Sequence, residues 1–119
     1  MDDEETIREL LYDELTDIGY EVELAKDGAE AIELYVKAKA SGRPFDAVIL
    51  DLEVPKGMGG EETIKKLLEI EPSIKAIISS GYSTHPVMTN FGRYGFSGVL
   101  IKPYGIEELA EKLNELMKE

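Results

Sequence analysis

The run Phe45-Asp46-Ala47-Val48-Ile49-Leu50-Asp51-Leu52 decides the fold. Its centre, Ala47-Val48-Ile49-Leu50, is continuously apolar and closes on a carboxylate. A short, uninterrupted apolar run is how a strand buried on both faces reads, and such strands belong to parallel sheets covered by helices. Two further runs share this form. Ala76-Ile77-Ile78 ends in Ser79-Ser80-Gly81, and Val99-Leu100-Ile101 ends in Lys102-Pro103.

Working outward, the segments between these runs carry helical spacing. Ile7, Leu10, Leu11, Leu15 and Ile18 predict a first helix that Gly19 ends. Ala31, Ile32, Leu34 and Tyr35 predict a second over 29–40, broken by Ser41-Gly42-Arg43-Pro44. Residues 61–70 form a third, halted before Pro72, and 84–94 read as a fourth. Ile106, Leu109, Leu113 and Leu116 share one face of a last helix over 106–117. Tyr20-Glu21-Val22-Glu23-Leu24-Ala25 alternates with period two, which predicts a strand with one solvated face. Four strands thus alternate with five helices, an α/β pattern with a parallel sheet and helices on both faces. Ligands bind such sheets at the carboxyl ends of the strands.

Composition narrows the function. The 119 residues suit one domain spanning 1–119. With 25 acidic and 13 basic residues, the net charge is −12. That argues against a nucleic-acid-binding chain, which would show a basic patch, and against docking on anionic lipid. A cation or a basic partner surface fits better. Without cysteine, disulfides, zinc-thiolate sites and cysteine catalysis fall away, and one histidine builds no multi-histidine metal site. No run reaches 18 apolar residues, and Met1-Asp2-Asp3-Glu4-Glu5 is the reverse of a signal peptide, so the expected setting is cytoplasmic.

The predicted strands end in Asp51, Ser80 and Lys102, which a parallel sheet would gather at one edge. Asp2 and Asp3 reach the same edge if a strand precedes them. Clustered carboxylates suit Mg²⁺, and a lysine and a hydroxyl beside them suit phosphoryl oxygens. The set points to an aspartate that accepts a phosphoryl group. Each member alone reads as a turn, a cap or a solvated helix start; their order is what carries the specificity.

These motifs resemble the receiver domains of two-component response regulators. The matching residues are Asp2-Asp3-Glu4 with Ile7-Arg8 and Leu10-Leu11, then Asp51 with Pro55 and Gly57-Met58-Gly59-Gly60, then Ser80-Gly81, and finally Gly95 with Lys102-Pro103. The stretches 79–83 and 94–99 look most like receivers of hybrid histidine kinases. The resemblance implies a flavodoxin-like fold in which Asp51 accepts a phosphoryl group from a histidine kinase or a histidine phosphotransfer domain. It implies Mg²⁺ held by Asp2, Asp3, Asp51 and the backbone carbonyl of Glu53, and Lys102 paired with the phosphoryl oxygens. Ser80 would turn inward to the phosphoryl group and couple it to the surface of the fourth helix, fifth strand and fifth helix. The domain would be a signalling module, with self-catalysed phosphotransfer and dephosphorylation as its only chemistry.

The chain departs from the family in three places. The family has an apolar strand before the acidic pair, central in the sheet order 2-1-3-4-5, and here only Met1 precedes Asp2. The expectation is a truncated or engineered receiver whose gap is closed by pairing of the flanking strands, by a strand from another chain or by a homodimer. Asp2 and Asp3 would then be untethered and Mg²⁺ weakly held. Val99 stands where many receivers carry a rotating aromatic residue, and the loop after Asp51 is one residue longer than the common pattern. Two alternatives remain at this point: a receiver-fold scaffold without efficient phosphotransfer, and a phosphohydrolase of the haloacid-dehalogenase type. The second is weakened by Glu53, where that family needs an aspartate, and by an acidic pair that precedes the lysine.

Overall fold

The computed structural model describes residues 1–118. The elements follow in the order α1 (Glu5–Asp17), α2 (Gly28–Ala40), β1 (Val48–Asp51), α3 (Gly60–Ile70), β2 (Ala76–Ser80), α4 (Pro86–Thr89), a 3₁₀ turn (Phe91–Tyr94), β3 (Gly98–Ile101) and α5 (Ile106–Met117). The sheet is parallel, in the order β1-β2-β3. All five residues of the central β2 are buried, as its apolar run requires.

Alternation along the strands divides the core. Leu50 and Ile78 face Tyr35 of α2, Ile64 and Leu67 of α3 and Val87 of α4. Ile77 and Leu100 face Leu15 of α1 and Leu109 and Leu113 of α5. The helices therefore cover both faces, and the α/β class read from the sequence holds. Local chemistry sets their starts. Asp27 caps α2 by accepting from the Glu30 N–H at 2.9 Å, and the Glu30 carboxylate accepts from the Lys26 N–H in return. His85 starts α4 in the same way, its Nδ1 accepting from the Val87 N–H at 3.1 Å.

Two expectations need correction. Residues 20–25 do not join the sheet as a fourth strand; among the described residues the sheet has three. Their alternating pattern is intact, yet among the described residues no strand pairs with them. A groove of about 1100 Å³ lies between them and β1. The helix expected over 84–94 is also divided. Asn90 has φ −126° and ψ 41°, off the helical values, and the 3₁₀ turn that follows ends at Gly95. Gly95 has φ +99°, a left-handed conformation that side chains disfavour.

Candidate functional site

The register of the sheet builds the site. Asp51 lies opposite Ser79 and Ser80 opposite Ile101, so the ends of all three strands share one edge. The Lys102 N–H donates to the Ser80 carbonyl at 2.9 Å, extending the ladder by one residue and aiming Lys102 inward. Helix α3 begins against the same edge. A Cβ on Gly60 would lie 2.5 Å from Ile78 Cδ1 and 3.0 Å from the Asp51 carbonyl, so only glycine lets the helix start this close to β1.

Lys102 Nζ lies 3.1 Å from Asp51 Oδ1 and 3.2 Å from Asp2 Oδ2. Both carboxylates are buried. Asp2 is firmly tied. Its N–H donates to the Ala25 carbonyl at 3.0 Å, its Oδ1 accepts from the Glu4 N–H at 2.9 Å, and its carbonyl accepts from Arg8 Nη1 at 2.8 Å. The Asp51 N–H donates to the Met1 carbonyl at 3.1 Å. The expectation of an untethered Asp2 is thus overturned by these bonds. Asp3 is exposed.

The electrostatics follow from this packing. Burial, then the charge of Asp2, pushes the Asp51 carboxyl up to about 6, although Lys102 and the Glu53 N–H pull the other way. Burial works against the Lys102 ammonium, but Asp51 and Asp2 outweigh it and hold its pKa above the ordinary lysine value. Burial lowers the Met1 amine to about 6.

The structure brings Asp2, Asp51 and Lys102 into one contact cluster. Ser80 is fully buried at the same edge, but its hydroxyl donates to Glu53 Oε2 at 2.7 Å and accepts from the Tyr82 N–H at 2.9 Å. Carboxylate oxygens of Asp2, Asp3 and Glu4 lie within 4.8 Å of one another. The sequence reading assigned Glu53 only a backbone role, so the hold of its carboxylate on Ser80 was missed. The signal was its place two residues after Asp51, the spacing that returns a side chain to the same side of an extended chain. Glu4 was read as family pattern rather than as a neighbour of the acidic pair.

Comparison with known proteins gives a consistent result. The family model described as "Response regulator receiver domain" matches residues 1–114. The chemotaxis protein CheY of Thermotoga maritima is 31% identical over 119 residues, covering 99% of this chain and 94% of that one. Response regulator MprA of Mycolicibacterium vanbaalenii is 32% identical, and this chain spans 48% of its length. Among solved structures, response regulator protein TrrA of Thermotoga maritima, in complex with Mg²⁺-BeF, aligns with a TM-score of 0.79 at 32% identity, covering 98% of this chain and 94% of that one.

Proposed function

Because the chain belongs to the response regulator receiver domain family, we propose that Asp51 is the residue that accepts the phosphoryl group. The observation that carries this assignment is the Lys102 ammonium set between the buried carboxylates of Asp51 and Asp2. The donor is the phosphohistidine of a histidine kinase or of a histidine phosphotransfer domain, and residues 1–119 act as a single receiver. Family membership displaces the phosphohydrolase alternative.

An Asp51 carboxylate oxygen attacks phosphorus in line with the donor's P–N bond. A P–O bond forms, the P–N bond breaks, and the imidazole leaves with the electron pair and takes a proton from water. The product is an acyl phosphate on Asp51. The acyl phosphate carries about −2 where the Asp51 carboxylate carried −1, so the edge gains about one negative charge beside the buried Asp2 carboxylate. Lys102 offsets part of it, moving from the Asp51 carboxylate to a phosphoryl oxygen. Ser80 leaves Glu53 and donates its hydroxyl to another.

The donor set also suits Mg²⁺. Asp2 and Asp3 bring carboxylate oxygens close together, Asp51 is buried at the same edge, and oxygen donors of this kind are the hard ligands that this ion takes while keeping several waters. Asp2, Asp3, Asp51 and the Glu53 carbonyl would hold it. When bound, it supplies positive charge to the phosphoryl oxygens and so lowers the repulsion that opposes transfer.

Intact-protein mass after incubation with acetyl phosphate and Mg²⁺ tests the reading. One phosphoryl adduct is expected, and none on the Asp51→Asn variant. An adduct retained by the variant would refute the assignment. No adduct on a chain shown to be folded would leave a receiver-fold interaction module in its place.

A further inference from the structure

Ser80 has already committed its proton. The side chain is fully buried, and its hydroxyl donates to Glu53 Oε2 at 2.7 Å while accepting from the Tyr82 N–H at 2.9 Å. A serine hydroxyl has a single hydrogen to give. It therefore cannot serve Glu53 and a phosphoryl oxygen on Asp51 at the same time. The present acceptor is a strong one, because hydrogen bonds to ionised groups exceed those between neutral groups.

Glu53 stands where this competition matters. It follows Asp51 by two residues, and its N–H points toward Asp51 Oδ1 at 3.4 Å. Its carboxylate thus lies beside the place where an acyl phosphate adds charge. When Ser80 turns to the phosphoryl group, Glu53 loses its donor and is repelled by the new charge. Glu53 also lines a cavity of about 680 Å³ with Lys65 of α3, Tyr82 and His85. That cavity gives the released carboxylate room to swing out, toward the Lys65 ammonium.

We propose, on the reading that Asp51 accepts the phosphoryl group, that Glu53 is a positioning residue that restrains Ser80. Its carboxylate holds the hydroxyl until a phosphoryl oxygen replaces it as the acceptor, so the phosphorylated arrangement forms against this bond. The Glu53 carbonyl assigned to Mg²⁺ belongs to the backbone and survives substitution of the side chain. A hydrogen bond to a charged group weights such an equilibrium by about tenfold.

The test is titration with Mg²⁺ and beryllofluoride, a non-covalent stand-in for the phosphoryl group, followed at the Tyr82 amide resonance. The proteins are the native chain, Glu53→Ala, Ser80→Ala and the double variant. Removing Glu53 also removes a negative charge near an anion site, so the comparison across the two Ser80 backgrounds isolates the restraint. Glu53→Ala should tighten binding about tenfold more with Ser80 present than with alanine there. Before ligand is added, its Tyr82 amide should already sit closer to the position seen in the bound native chain, since that N–H bonds the Ser80 oxygen. Glu53→Gln, which keeps an acceptor of the same length without the charge, should fall between the two. Equal tightening in both Ser80 backgrounds, or an unmoved Tyr82 amide in Glu53→Ala, would overturn the proposal while acetyl-phosphate labelling of Asp51 stands. A folded native chain that neither binds beryllofluoride nor takes label would defeat the acceptor reading, and the restraint with it.

Discussion

Replacing Asp51 with Asn should stabilise the protein in the absence of metal. The native carboxyl is buried beside Asp2 and is raised from 3.8 to about 6. At about 1.36 kcal/mol per pH unit, holding it ionised near neutrality costs up to about 3 kcal/mol. Relaxation around the charge reduces that, and the expected gain is about 1–2 kcal/mol at pH 7. The sign follows from linkage. Between pH 4 and 6 the native state holds a proton that the unfolded chain has released, so this group lowers native stability as pH rises through that window. Asparagine removes the slope, and the advantage of the variant should vanish near pH 4. Urea unfolding at pH 4, 5, 6 and 7 reads this directly, with a midpoint rise of about 1 M at pH 7. Mg²⁺ should stabilise the native chain and have little effect on the variant. A variant less stable than the native chain at pH 7, or a difference independent of pH, would refute the reasoning.

Removing the shared cation should act in the opposite direction. Lys102→Met leaves Asp2 and Asp51 facing each other and should cost about 1–3 kcal/mol at pH 7 in denaturant unfolding, less at pH 5. Gly60→Ala should cost about 1–3 kcal/mol, because its methyl meets Ile78 Cδ1 and the Asp51 carbonyl, and it should slow acetyl-phosphate labelling by displacing the start of α3. Ile78→Ala, in the fully buried central strand, should cost about 2–5 kcal/mol, seen as a lowered thermal midpoint.

Much of this fold is legible in three short runs. Ala47–Leu50, Ala76–Ile78 and Val99–Ile101 are apolar without alternation, because helices cover both faces of their sheet, and each run marks a strand, the first beginning one residue later, at Val48. Residues 20–25 show what such reading leaves open. A period-two pattern reports which face a segment would bury, but joining a sheet also needs a neighbour with free backbone groups, and the groove separates these residues from β1. Residues 84–94 failed differently: apolar spacing continued through Asn90, while the backbone there left the helix. In the site, Asp51, Ser80 and Lys102 are legible as strand ends. The tether of Asp2 through Ala25, Glu4 and Arg8 is not, since it depends on backbone bonds to a segment that forms no strand. The Glu53–Ser80 contact joins residues 27 apart and follows only from the register of β1 and β2.

The assignment of Asp51 meets its most direct test in the position of the acyl phosphate. After acetyl phosphate and Mg²⁺, borohydride reduction converts a phosphorylated aspartate into homoserine, which peptide sequencing by mass spectrometry locates. Homoserine at position 51, and at no other acidic residue, is the result this account predicts. Homoserine at position 2 or 3 with Asp51 unmodified would contradict it.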